Sequence, residues 1–398
     1  MRAMTLEEVR QAVRGRWLAR GPDRPLRGVS TDTRSAGAGD IFFALRGERT
    51  DGHLYLAQAA GAGCAAAVVA ADATIPPETA AAFEAGVLAV ADTTAALGDL
   101  AARHRAVVTA PAVVGVTGSN GKTTVKRMIH HILSRKLKGT CSPKSFNNNI
   151  GLPLTLLGVS PSDDYVVCEI GTNAPGEIAA LSKIARPDLA VITSVGPAHL
   201  ERLGSVDRVA VEKASILGFL AEDGMGVIWA DSPQLAKVMR HYACKLIRFG
   251  ESPDADLRLT GFEALGQRQR FQVNGRLWVD MPMPGRHNAM NALAAIAAAQ
   301  RFGIDQSDSA SALADFAGGD MRLAWTAVGA GALINDAYNA NPSSMGAAVD
   351  VLAGAGGRRV FIAGDMRELG QQGPELHEQL GRTAAQRGID LVIGVGRL

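Results

Sequence analysis

Apolar residues along this chain recur in two periods, and the alternation between them predicts the architecture. "AVVGV" (112–116) is a short continuous apolar run, as expected of a strand buried on both faces. A glycine-rich turn follows it, after which Val125, Met128, Ile129, Ile132 and Leu133 repeat at helical spacing. Further strands are predicted at "DYVVCEIG" (164–171), "LAVITSVG" (189–196) and "GVIWA" (226–230). Nearer the start, "GDIFFALRG" and "CAAAVVA" predict strands around a helix in "HLYLAQAAGAG", which a glycine stops. From about Met321, "ALINDAY", "RRVFIAGD" and "DLVIGVG" predict three more strands separated by helical stretches. Such alternation predicts an α/β fold with a mostly parallel, helix-covered sheet.

At 398 residues the chain exceeds one ordinary core, so two or three domains are expected. The pattern suggests three segments. Residues 1–108 mix short strands with alanine-rich helices, and "HRAVVTAPA" leads out of them; 109–318 carry the glycine turn; 319–398 form the last. Repeats of fixed period and long low-complexity tracts are absent from the sequence.

Composition narrows the function. With 47% hydrophobic and 20% charged residues the chain reads as globular, and no apolar run approaches the roughly 18 residues of a membrane span. The net charge is +2 with both signs interspersed, which argues against a nucleic-acid-binding surface. The opening "MRAMTLEEVRQAVRGRW" lacks the apolar core of a secretory signal, so a cytoplasmic location is expected. Cys64, Cys141, Cys168 and Cys244 are scattered without a CxxC pair; they are expected as small buried residues in a reducing compartment.

The strongest candidate chemistry lies in "GVTGSNGKTT" (115–124). Gly118, Ser119, Asn120, Gly121, Lys122, Thr123 and Thr124 would form a loop whose backbone N–H groups cradle phosphate at a helix N-terminus. Lys122, in a solvent-facing turn, would reach the β- and γ-phosphates of ATP, and the Thr123 hydroxyl would face Mg2+. The spacing departs from G-x-x-x-x-G-K-[ST], because Val116 stands five residues before Gly121 and the glycines fall at 115, 118 and 121. Such a loop alone serves a hydrolase, a kinase, a switch or a ligase. Glu169 and His199 follow predicted strands, where a doubly wound sheet has its ligand crevice. Taken singly, Glu169 reads as a solvated loop residue and His199 as a capping or core histidine. Lys213 taken singly reads as a helix lysine paired with Glu212 or Asp207.

The loop G-x-T-G-S-N-G-K-T-T resembles the nucleotide loop of the Mur ligase family, and other stretches resemble that family in the same order. These are "VSTDTR…GDIFFALRGERTDGH" (29–53), "FNNNIGLPLTLL" (146–157), "CEIGTNAPGEI" (168–178), "GPAHLERLGS" (196–205), "VEKASILGFL" (211–220), "GRHNAMNALAAIAAA" (285–299) and "DAYNANPSSM" (336–345). The resemblance implies a UDP-substrate domain, a central ATP-binding parallel sheet and a Rossmann-like last domain. It implies that Ser30, Asp32 and Arg34 meet the uridine diphosphate end of a substrate, and Asn147 and Asn148 its nucleotide sugar. Thr123, Glu169 and His199 would hold magnesium, and Lys213, as its carbamate, a second metal. Asn288 and Asn291 would lie toward adenine, Arg322 near the phosphates, and Asp336 near the ribose or the domain hinge. Two departures stand out: Ser215, two residues after the lysine, and Asn149 occupy positions that are often acidic in the family. Full-length relatives run on beyond the equivalent of Leu398, so the last domain is expected to be incomplete.

The forms of 146–157 and 336–345 imply the family reaction that adds D-alanyl-D-alanine to UDP-N-acetylmuramoyl-tripeptide, through an acyl phosphate, by a monomeric ADP-forming enzyme. A sister ligase, a folylpolyglutamate synthase, a P-loop kinase or NTPase, and a non-catalytic protein of ligase ancestry are the alternatives.

Overall fold

The computed structural model describes residues 2–398. The chain forms two compact units. One comprises the residues up to Val113 with Lys138–Cys168 and Ala180–Arg186; the other comprises Val114–Leu137, Glu169–Ala179 and Pro187–Leu398.

The first unit is built on a five-stranded sheet in the order Arg16–Arg20, Gly86–Val90, Ala66–Ala70, Ile41–Phe43, Val29–Ser30. Only the first pair is antiparallel. Ile41–Phe43, Ala66–Ala70 and Gly86–Val90 are buried along their whole length, which is why their sequences run apolar without alternating. The expected helix at 53–63 is a 3-10 turn, Gly52–Tyr55, running into Leu56–Gly61. Phe42, Leu56, Val69, Phe83 and Val87 form the core beneath it. A parallel pair, Gly139–Cys141 and Tyr165–Glu169, also belongs to this unit up to Cys168.

The main sheet of the second unit runs in the order Leu277–Met281, Arg268–Val273, Leu257–Leu265, Lys245–Gly250, Met225–Trp229, Leu189–Ile192, Ala112–Thr117. Pairing is parallel from Leu257–Leu265 onward, and antiparallel in the meander formed by the first three. The meander is absent from the sequence expectations, although "RFQVNGRLWV" carries its signal. Asn274 and Gly275 have φ of 51° and 69°, the left-handed pair that a two-residue hairpin turn needs. The helix Lys122–Leu133 packs on the alanine-rich helix Arg286–Gln300, whose small buried side chains permit a close approach. In the last segment the hairpin Ala324–Val328/Gly331–Asn335 precedes the helices Pro342–Ala353 and Gly373–Gln386 and the parallel pair Val360–Gly364/Leu391–Val395. Met345, Val349, Met366, Leu369 and Leu380 make its core. Among the described residues, no helix is long and apolar enough to cross a membrane.

Candidate active site

The glycine turn joins the buried strand Ala112–Thr117 to the helix Lys122–Leu133. Gly118 and Gly121 have φ of 154° and 81°. A Cβ at Gly118 would sit 1.9 Å from Thr193 Oγ1, and one at Gly121 2.3 Å from Asn291 Oδ1. Conformation and space therefore both demand glycine at these two points. The exit of the neighbouring strand braces the loop: the Ser119 N–H donates to Ser194 O and the Asn120 N–H to Ser194 Oγ, each at 2.9 Å. The Thr193 and Ser194 hydroxyls donate to Asn120 O. No side chain caps the helix, so its first N–H groups point at an anion's place.

Lys122 is not solvent-facing. It is half-buried, and its ammonium donates to Gly118 O at 2.9 Å across the loop. Burial pushes its pKa down, the Glu169 carboxylate opposes that, and Arg322 adds to it.

Glu169 is buried at the end of its strand, and the next residue, Ile170, donates its N–H to Val116 O at 2.8 Å. Its Oε2 accepts from Thr123 Oγ1 at 2.9 Å and pairs with Lys126 Nζ at 3.2 Å. Thr123 Oγ1 in turn accepts from Arg322 Nη2 at 3.1 Å, while the Arg322 guanidinium lies 4.1 Å over the Tyr338 ring. Arg322 is aimed by a strained backbone, since both flanking residues, Met321 and Leu323, have φ above 50°. Lys126 was no candidate from the sequence. Its signal was position: four residues after Lys122, it shares that lysine's helix face.

Lys213 is buried, and its pKa is held well below the ordinary lysine value by burial, then by the Lys122 charge, with Glu212 opposing. The pairing with Glu212 that a surface lysine would make is not formed: the Glu212 carboxylate accepts the N–H groups of Gly176 and Ile178 at 2.7 and 2.9 Å. His199 caps a four-residue helix in a left-handed conformation (φ 53°), with Nδ1 hydrogen-bonded to the Glu368 carboxylate. Burial lowers its pKa, Glu368 opposes, and the charges of Lys122 and Lys213 lower it further. The structure thus brings Glu169, His199 and Lys213 each within electrostatic reach of Lys122, and assigns His199 a partner, Glu368, that sequence reading missed.

Beside the loop lies a cavity of about 240 Å³ lined by Asn120, Thr124, His287, Asn288, Asn291, Arg322 and Asp336, among others. Asn288 is buried; its Nδ2 donates to Pro284 O at 2.8 Å and its Oδ1 accepts from Asn291 Nδ2 at 3.1 Å. Asp336 accepts the Leu323 N–H at 3.1 Å, and burial raises its pKa against that bond and Arg322. Asn120 exchanges amide hydrogen bonds of 3.2 and 2.6 Å with Asn341, the cap of the helix Pro342–Ala353. His287 is a further residue the sequence reading passed over; burial pushes its pKa down to about 4.

The donor set fits magnesium. Thr123 and Glu169 offer hard oxygens beside the loop, and magnesium in nucleotide sites is held by one or two carboxylates together with the phosphates. Among the described residues no group of three His, Cys, Asp or Glu side chains could hold a metal. The residues suit a cation that shares its shell with a nucleotide.

The remaining candidates belong to the first unit. Ser30 Oγ donates to Asp32 O at 2.9 Å, and Arg34 grips the Asp32 carboxylate with Nε and Nη2, which lowers the Asp32 pKa to about 2. Asn148 Oδ1 accepts the N–H groups of Ile150 and Gly151 at 3.2 and 2.9 Å, opening the helix Gly151–Leu157. Asn147 precedes it, half-buried.

Fold and loop define a phosphate-loop nucleotide-binding α/β protein. Three family models match the chain: the Mur ligase family catalytic domain over 25–105, the Mur ligase middle domain over 116–299, and the Mur ligase glutamate ligase domain over 321–398. The chain belongs to the Mur ligase family. It is 39% identical over 378 residues to the UDP-N-acetylmuramoyl-tripeptide--D-alanyl-D-alanine ligase of Bacillus subtilis (strain 168), a match covering 94% of this chain and 80% of that protein. Its fold is similar to that of MurF from Acinetobacter baumannii, with a TM-score of 0.92 and 34% identity over 100% of this chain and 86% of the other. MurF ligase from Thermotoga maritima, solved in complex with ADP, is 26% identical with a TM-score of 0.80, covering 92% of this chain and 88% of its own.

Proposed function

We propose that this chain is an ATP-dependent amide ligase that joins D-alanyl-D-alanine to UDP-N-acetylmuramoyl-tripeptide and releases ADP and phosphate, in peptidoglycan precursor synthesis. One observation carries the reading: Lys122, Thr123, Glu169 and Arg322 converge on a glycine loop, in a chain similar along nearly its whole length to ligases of that name. The three segments 1–108, 109–318 and 319–398 are read as substrate, nucleotide and closing domains.

A carboxylate is a poor acylating agent. In the proposed reaction the tripeptide carboxylate attacks the γ-phosphorus, the bond to ADP breaks, and an acyl phosphate forms. Lys122, parked on Gly118 O at rest, swings onto the transferring phosphoryl group, and Arg322, held by Thr123 and Tyr338, adds a second positive charge. Positioning and charge stabilisation of this kind supply most of the rate in phosphoryl transfer. Thr123 and Glu169 would hold magnesium, with His199 and Lys213 as further candidates, and the ion would supply charge neutralisation on the phosphate oxygens. The amine of D-alanyl-D-alanine then attacks the acyl carbon, loses a proton and expels phosphate. No side-chain nucleophile is required.

Lys213 as an ammonium would repel Lys122 and any metal. Burial and the Lys122 charge favour its neutral amine, the form that adds carbon dioxide to give a carbamate with release of a proton. That converts a buried cation into an anionic ligand, and it is the role proposed for Lys213.

The test supplies ATP, magnesium and the tripeptide substrate, adds acceptors singly, and follows phosphate release and product mass. The ligase reading requires release that depends on both the tripeptide and D-alanyl-D-alanine, with a product heavier by the dipeptide. Release of ADP regardless of acceptor would mark a kinase or NTPase, and preference for a single amino acid a sister ligase.

A further inference from the structure

Lys126 and Glu169 form a buried ion pair inside the nucleotide site, with side chains 1% and 2% exposed. Removing one partner of such a pair leaves an uncompensated buried charge, so Lys126 is tied electrostatically to whatever Glu169 does. The lysine and the Thr123 hydroxyl both engage Oε2 of the carboxylate. Two further cations stand beside the pair: Lys122 on its loop carbonyls, with its pKa lowered by burial and in part by the Arg322 charge, and Arg322 itself, bonded to Thr123. Of the acids nearby, Glu212 is spent on two backbone N–H groups, Glu368 on His199, and Asp336 accepts the Leu323 N–H beside Arg322. A divalent cation approaching the nucleotide-free protein therefore meets a carboxylate already paired with Lys126, with the Lys122 and Arg322 charges beside it.

We propose that Lys126 is a positioning residue that serves as the resident counter-charge of Glu169, so that the site takes its divalent cation only together with a nucleotide. The proposal rests on the reading of Glu169 as a metal ligand. A polyphosphate offsets the Lys122 and Arg322 charges as it enters, and the metal arrives with it. Lys126 then continues to fix the orientation of the carboxylate through the same Oε2. Keeping the metal out beforehand leaves Lys122 on its loop carbonyls and the cradle open to the nucleotide.

The probe is Mn2+, titrated into the whole protein with and without ADP and read by electron paramagnetic resonance, with binding rather than turnover as the observable. Wild-type protein should bind Mn2+ at least about a hundredfold more tightly with ADP than without it. Lys126→Met, which keeps bulk and removes charge, should tighten nucleotide-free binding by about tenfold or more, while Lys126→Arg keeps the wild-type pattern. A lysine that merely fills the core would change the melting temperature of Lys126→Met and leave Mn2+ binding as it was. That result overturns the proposal, as does wild-type protein that binds Mn2+ equally well without ADP; the wild-type arm decides the matter even if Lys126→Met fails to fold. Glu169→Gln separates the underlying reading: if ADP-dependent Mn2+ binding survives it, Glu169 is no ligand, and the proposal falls with that reading rather than on its own terms.

Discussion

Glu169 ends a strand and Arg34 stands a few residues beyond one, yet their side chains are 2% and 86% exposed. Glu169 is held by Thr123 and Lys126, more than forty positions away in sequence. Arg34 is held by Asp32, two positions away. The same division runs through the other candidates. In the second unit Asn120 pairs with Asn341, Arg322 with Thr123, and His199 with Glu368; in the first, Ser30 and Asn148 bond within their own turns. Long-range bonds fix a charge before the ligand arrives, which is what stabilising a transferring phosphoryl group needs. Local, solvated pairs are worth little, so a ligand can replace them at small cost. We read the first unit's turns as an adaptable substrate grip and the second unit's cluster as a preset one.

The sharpest way to break that contrast is Lys122→Ala. It should lower acceptor-dependent phosphate release by about a thousandfold or more, with an unfolding temperature close to wild type because a desolvated cation is removed. Near-normal release from a folded variant removes the lysine from the mechanism. Next in size, Lys213→Ala should lose roughly a hundredfold and regain part of that when a small carboxylate such as acetate is added, whereas Lys213→Arg should not respond. Full activity of the wild type in rigorously bicarbonate-free buffer contradicts a carbamate.

On the first unit's side, Arg34→Ala should raise KM for the muramoyl substrate by about tenfold or less and leave ADP affinity unchanged, as isothermal calorimetry would show. An equal loss of ADP affinity would erase the distinction between the two grips. The smallest effect is on stability. His287 has its pKa depressed to about 4 by burial, so the unfolded chain binds the extra proton between about pH 6.5 and 4. Its contribution is present above pH 6.5 and lost as pH falls through that window, on the order of 3 kcal/mol. Denaturant melts of wild type and His287→Gln at pH 7.5 and 4.5 check this: the wild type should lose more on acidification than the variant.

The phosphate loop was legible because its demands are local: two glycines with positive φ, a lysine, a threonine and a helix start. The parallel strands were legible for a similar reason, since burial on both faces makes them continuously apolar. Lys213 shows where local reading stops. On the helix Val206–Ala214, Val211 is 55% exposed while Glu212 and Lys213 are buried, so the usual apolar-in pattern is inverted. Such inversions are tolerated where a site requires them. Lys126 was hidden by the same inversion, and Glu368 and Asn341 because their partners lie far along the chain. The antiparallel meander, by contrast, was missed although Asn274–Gly275 announced it.

The central claim is that this preset grip exists to activate a carboxylate. The direct test uses tripeptide substrate whose terminal carboxylate is labelled with oxygen-18, turned over with ATP and D-alanyl-D-alanine, with the released phosphate analysed by mass. Attack of the carboxylate on phosphorus, followed by attack of the amine on the acyl carbon, predicts one labelled oxygen in each phosphate released. Unlabelled phosphate formed alongside the dipeptide-extended product would contradict the account.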